Sequence, residues 1–328
     1  MPDVAQAVVP FIREQLERRR SCDGDRAPRP LLVGLQGPQG CGTCAALLVS
    51  LTPQARRPCR LALKRHSQLQ TLPYTWKFSR WMVRMTVAAA CANHQTDLYL
   101  PKAELDAIAM AHTTNALLQG RGQPGTHDTV LGSHIFAKLL AMRGSDAAPV
   151  QVPVFDKSCH QGQGDRLPEP RVVRPPVDVV IFEGWCVGFE CLCENVLSEK
   201  YAEALASPEP YACTQHPIAT LRTINRNLRA WKDQWYPLFD AMIQIRPKVS
   251  SGNPWDLVYP WRLEAEHKMK TANGGRGMTD EQVKEFVQRY MPSYELFCND
   301  LQHGTLWPER TLCIDLDASR QVVGVRRA

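Results

Sequence analysis

Residues 37–44 read Gly37-Pro38-Gln39-Gly40-Cys41-Gly42-Thr43-Cys44, between the apolar run that starts at Leu31 and a second apolar run. A glycine-rich turn between a strand and a helix can hold phosphate, because backbone N–H groups and the helix dipole converge on an anion. The phosphate-loop pattern is G-x-x-x-x-G-K-[ST]. Gly37 and Gly42 have its spacing, with Gly40 between them, but Thr43 and Cys44 stand where Lys and a hydroxyl residue are expected. Cys41-Gly-Thr-Cys44 also imitates a redox C-x-x-C at a helix start, and a plain turn is the third reading. A second chemical signal is VDVVIFEG, 177–184, an apolar run closed by Glu183 and Gly184. A buried parallel strand reads this way when its C-terminal end faces a site.

The elements that must carry these groups follow from periodicity. Val4, Val8, Phe11, Ile12 and Leu16 recur at helical spacing, with Pro10 marking a kink or a start. Strands are predicted at 31–35, 60–63, 150–155, 177–184, 241–245 and 311–316, and Asp97-Leu-Tyr-Leu-Pro reads as a strand end. Helices are predicted at 44–51, 103–112, 129–142 and over 224–242. Thr126 or Asp128 should cap the helix at 129, and Thr279 with Gln282 forms a capping box. Strands alternating with helices predict an α/β fold with a doubly wound, mainly parallel sheet in one domain, its C-terminal half mainly helical.

Composition narrows the function classes. The 328 residues carry a net charge of +6, yet the stretch from Thr43 to Gln95 has eight basic residues and no Asp or Glu. No nucleic-acid motif accompanies that stretch, so nucleic acid is not expected as a partner. No apolar run is long enough to span a membrane. Twelve cysteines without regular spacing fit reduced thiols, and the acids Asp3, Glu14, Glu17 and Asp23 argue against a transit peptide, so a cytoplasmic protein is expected. Nothing in the chain sets an oligomeric state.

LLVGLQGPQGCG, DLYLP, NALLQGRGQPGTHD, VPVFDKS, GQGDR, VDVVIFEGWCVGF, NRNLRAW, WRLEAEHKM and GMTDEQVKEFVQRYMPSYE occur in this order. Together they resemble the D-glycerate 3-kinase-like branch of the P-loop kinases, plant glycerate kinases and fungal ATP-binding relatives. That branch is similar, more distantly, to pantothenate kinase, uridine kinase and phosphoribulokinase. The resemblance implies a P-loop three-layer fold with a lid. It also implies transfer of the ATP γ-phosphate, with Mg²⁺, to a small hydroxyl substrate, glycerate being the leading candidate.

On this resemblance, residues 37–44 cradle the nucleotide, Thr43 offers a hydroxyl to Mg²⁺, and Glu183 holds the metal or its waters. The loop lacks its lysine, the cation that stabilises charge on the phosphoryl group. Family members place two consecutive acids before the aromatic at Leu98-Tyr99; here Thr96 replaces the first, leaving Asp97 as the catalytic or Mg²⁺ contact. Arg121, His127 and Asp128 fall at the acceptor site, with Asp156, Lys157 and Arg166 as a second polar cluster, and Arg262 is the lid arginine that reaches ATP phosphates. Each also has a structural reading as a cap, an ion pair or a surface group. Both departures flank the acid-free interval, of which Lys64–Gln95 makes the chain longer than the family needs. Translated intron or mis-joined exon sequence would explain all three features; a catalytically inactive nucleotide-binding protein or scaffold with a basic insertion is the other reading.

Overall fold

The computed structural model describes residues 4–23, 28–42, 95–272, 274–275, 277–298 and 306–328. The predicted helix at 44–51 and strand at 60–63 lie outside these residues, as do Thr43 and Cys44. Helix α1 (Val4–Asp23) leads to strand β1 (Leu31–Gln36), and after the undescribed interval come α2 (Lys102–Ala111) and α3 (Thr129–Leu140). Four short strands follow: β2 (Val150–Val152), β3 (Phe155–Asp156), β4 (Asp165–Arg166) and β5 (Arg171–Val173). Then come β6 (Val179–Gly184), α4 (Glu194–Ala206), α5 (Ile218–Gln234), β7 (Ala241–Pro247), α6 (Val258–Ala272), α7 (Asp280–Gln288) and α8 (Met291–Phe297). The chain closes with β8 (Thr311–Leu316) and β9 (Val322–Arg327).

The main sheet has the order β6-β1-β7-β8-β9. Its first four strands are parallel and β9 adds an antiparallel edge. Side chains alternate between the faces of a strand, and this sheet buries both. Leu31, Val33, Leu35, Val179, Ile181, Ile243 and Ile314 meet Val8, Phe11, Ile12 and Leu16 of α1 on one face. Leu32, Val180, Phe182, Met242 and Cys313 meet α3 and α5 on the other, with Phe136, Leu228 and Trp231 prominent. The four apolar residues 179–182 before Glu183 are the sequence signature of that double burial. Gly34 belongs to the second face, where an added Cβ would lie 2.6 Å from Met242 Sδ and 2.8 Å from the Phe239 ring.

Several expectations need correction. Helix α1 runs on both sides of Pro10, so of the two readings of that proline the helix start is the one overturned. The predicted strand end at Asp97 is a 3-10 turn, Gln95–Leu98, followed by a single bridge between Tyr99 and His127. The run 150–155 is two strands, because Pro153 has no N–H to continue a ladder; β2 pairs with β5 and β3 with β4, both antiparallel. The helix predicted to 242 stops at Gln234, three residues before Pro237, and β7 begins at Ala241. Asp128, not Thr126, caps α3, its Oδ1 accepting Leu131 N–H at 2.9 Å. The Thr279–Gln282 capping box is formed.

Candidate active site

Strand register builds the phosphate side. Leu35 pairs with Glu183 and Gln36 with Gly184, so the carboxylate stands one strand over from the point where β1 ends. Gly37 N–H donates to Gly184 O at 3.4 Å, and the loop then folds on itself through Cys41 N–H to Pro38 O at 3.1 Å. Gln39 N–H donates to the Tyr294 hydroxyl at 3.2 Å. Gly40 has φ +79°, and a Cβ there would lie 2.3 Å from Trp261 O. The loop thus packs backbone to backbone against α6, an approach only glycine permits. Cys41 is buried below it.

The opposite wall is a set of loops carrying charge. Asp97 is buried at the end of its turn, where Oδ1 accepts Phe155 N–H at 3.3 Å and Oδ2 pairs with Arg171 at 3.1 Å. Arg121 donates to Gly162 O at 2.7 Å and to Gln163 O, and lies over the Phe155 ring at 5.8 Å. Lys157 is exposed. Desolvation first, then the neighbouring Arg121 and Arg262, hold it below the ordinary lysine range, against the pull of Glu183 and Asp97. Both acids and both arginines thus act on the Lys157 ammonium. Arg262 itself pairs with buried Glu266 at 2.6 Å and lies over the Phe286 ring at 5.6 Å. Glu266 also accepts Met278 N–H at 2.8 Å, tying α6 to the entry of α7.

The remaining candidates are occupied structurally. Asp128 caps α3 and accepts from Arg166 at 3.2 Å, while the same Arg166 nitrogen donates to Tyr99 O at 2.8 Å. Asp156 accepts from Ser158 N–H at 2.8 Å and its hydroxyl at 2.7 Å, which hold its carboxyl below the usual range. His127 lies in the core against Tyr99 and Trp231. Burial lowers its pKa to about 3, so it is a neutral ring at pH 7 and not a cation for an acidic substrate.

Gln95, Tyr294, Arg289, Gln123 and Arg320 escaped the sequence reading. Gln95 sits buried with its amide nitrogen 3.1 Å from His127 Nε2 and 3.0 Å from Cys186 Sγ. Asn225 and Asn227 clamp loops: Asn225 bonds both N–H and C=O of Leu192, and Asn227 donates to Pro124 O at 2.9 Å. A polar residue on the half-buried flank of an amphipathic helix is the only available signal for such clamps.

Carboxylate oxygens suit Mg²⁺, which is commonly held by one or two acids, substrate phosphates and waters. Among the described residues, no three His, Cys, Asp or Glu side chains form a metal cluster. Glu183, beside the glycine loop, fits this economical arrangement.

No family model matches the chain. It is 30% identical over 309 residues to the chloroplastic D-glycerate 3-kinase of Arabidopsis thaliana, covering 92% of this chain and 55% of the plant protein, just over half its length. It is 32% identical to the probable ATP-dependent kinase TDA10 of Saccharomyces cerevisiae, covering 70% of this chain and 74% of the yeast protein. The solved D-glycerate 3-kinase of Cryptococcus neoformans superposes with a TM-score of 0.82 at 34% identity, over 100% of both chains. With the glycine loop at the end of a parallel strand and an acid on its neighbour, these likenesses identify the chain as a member of the D-glycerate 3-kinase-like family of ATP-dependent P-loop kinases.

Proposed function

We propose that this chain transfers the γ-phosphoryl group of ATP to a hydroxyl of D-glycerate or a closely similar small acid, with Mg²⁺. The observation that carries this reading is the glycine loop closing β1 with Glu183 one strand over and Gly40 packed against the α6 backbone at Trp261 and Arg262, to which Asp97, Arg121, Lys157 and Arg262 add charge. Two carboxylates and three cations suit a reaction whose catalysis is positioning and charge stabilisation. The backbone of 37–42 cradles phosphates, with Thr43 and Cys44 as its continuation, and Glu183 holds Mg²⁺ or its waters. Bound Mg²⁺ neutralises phosphoryl charge. Lys157 and Arg121 face the acceptor carboxylate, Asp97 orients its hydroxyl, and Arg262 reaches toward the nucleotide phosphates. Asp128, Asp156 and Arg166 hold these loops in place. The relatives named D-glycerate 3-kinase support glycerate as the acceptor. D-Glycerate-dependent ADP release tests the assignment; release that glycerol supports equally well would sink the acidic acceptor.

Thr43 carries a second reading, a nucleotide-binding protein without transfer. Loss of one preorganised cation costs about 3 kcal/mol in the transition state, by analogy with an oxyanion donor. We infer that the acid-free interval, and with it this loss, comes from translated intron or mis-joined exon sequence. Sequencing the mature transcript from Gly42 to Tyr99 decides between the two. A spliced message restoring Gly-Lys-Ser/Thr supports an ordinary kinase, and an unaltered one supports the inactive reading.

A further inference from the structure

A single side chain from near the end of the chain reaches the phosphate loop. Arg320, in the turn between β8 and β9, donates from Nε to Gly40 O at 2.9 Å and from NH2 to Trp261 O at 3.2 Å. Its NH1 pairs with Glu264 at 2.5 Å, and the guanidinium lies over the Trp261 ring at 5.6 Å. Lys268 and Arg320 hold the Glu264 carboxyl down to about 2, so the anchor stays charged.

The turn does not need this side chain for its own shape. Asp317 Oδ1 accepts Ser319 N–H at 2.9 Å and Gln321 N–H at 2.8 Å, and Trp261 Nε1 donates to Ala318 O at 2.9 Å. Arg320 nevertheless has φ 62°, a left-handed conformation uncommon for residues other than glycine. That backbone accompanies a planar fork engaging two carbonyls and a carboxylate at once, which the point charge of lysine cannot reproduce.

We propose that Arg320 is a positioning residue for nucleotide binding, locking the Gly40 peptide and the first turns of α6, with Arg262, into one unit. The proposal rests on the phosphate-binding role of residues 37–42. An ordered loop binds more tightly because less conformational freedom is lost on association. Releasing Gly40 should therefore weaken nucleotide binding while leaving the acceptor wall, held by other side chains, untouched.

The test uses the full chain, Arg320→Ala, Arg320→Lys and Glu264→Gln. Calorimetry with Mg-ADP is paired with a D-glycerate titration read by thermal shift, and with the rate of Cys41 alkylation followed by peptide mass spectrometry. For Arg320→Ala, ADP affinity should fall about tenfold, equivalent to about 1.4 kcal/mol, with faster Cys41 alkylation and unchanged glycerate binding. Arg320→Lys and Glu264→Gln should lie between it and the parent. Unchanged ADP affinity, or equal losses for ADP and glycerate, overturns the positioning role. Should Arg320→Ala fail to fold, parental ADP affinity in the other two variants overturns it and a partial loss supports it. A parent chain that binds no ADP overturns the phosphate-loop reading and this proposal together, whereas binding insensitive to Arg320 overturns this proposal alone.

Discussion

The loop at 119–127 and the glycine loop at 37–42 are held by different physics. Residues 119–127 are fixed by side-chain hydrogen bonds exchanged with the C-terminal half. Arg289 donates to Gln119 O at 3.1 Å and Arg121 O at 2.9 Å, and Gln123 bonds both Arg289 O and the Ser293 hydroxyl. Residues 37–42 are held mainly by backbone contact with α6, with Arg320 and Tyr294 as side-chain contacts. Both loops depend on glycines with positive φ, but a Cβ at Gly122 or Gly125 would meet the side chains of Tyr290 and Asn227, at 2.2 and 2.1 Å, whereas one at Gly40 would meet the backbone of Trp261, which cannot turn aside. The two sides also differ in charge. Residues 121 and 157 on one side are arginine and lysine, while residues 37–42 on the other are followed by Thr43 where the phosphate-loop pattern has lysine.

The largest expected effect falls on the acid between the two sides. Glu183→Gln should lower kcat by roughly 10²–10³-fold, the scale for removing one electrostatic element of a transition state. ADP affinity measured without metal should be unchanged; a parallel loss there would make Glu183 part of the loop scaffold. The charge contrast is sharpened by Thr43→Lys, which should raise kcat about 10²-fold in glycerate-dependent ADP release. No gain would mean that register, not charge, separates this loop from its family's.

On the acceptor side, the buried His127 gives a signature in acid. Its folded pKa of about 3 lies below the ordinary 6.5, so the unfolded chain binds a proton that the folded chain refuses. Stability is complete above pH 6.5 and declines as pH falls toward 3, by about 2 kcal/mol on reaching pH 5. Denaturant midpoints in His127→Gln should lose that slope, and an identical acid slope would assign it to other groups. The smallest effect is at Lys157. Lys157→Ala should raise the acceptor KM about tenfold, as expected for a charge-assisted contact. In the parent, acceptor KM should climb in alkaline solution below the ordinary lysine range, because desolvation lowers this pKa. The alkaline limb should vanish in the variant; its survival would exclude Lys157 as the titrating group.

How much of this was legible in the sequence differs between the sides for the same physical reasons. The apolar run ending in Glu183 gave the strand, its double burial and the placement of its acid, because burial on two faces leaves no polar position to blur it. Glycine spacing marked the phosphate loop. Asp97 was placed in the site, but its local structure was misread, since a four-residue 3-10 turn has too little periodicity to show. β9 went unseen because Val322–Arg327 is an edge strand in which Val323 and Val325 are exposed. His127 looked like an acceptor group by type, and only packing against Tyr99 and Trp231 makes it a core residue. Arg320, 280 positions from the carbonyl it holds, had no local signal at all.

The most direct test is a single-turnover reaction with γ-labelled Mg-ATP and excess enzyme, run with D-glycerate and with glycerol. Labelled phosphoglycerate is expected, formed slowly for want of the loop lysine, and no labelled product from glycerol. Label retained in ATP, or lost only to water, while both ADP and D-glycerate bind, would contradict phosphoryl transfer by this chain.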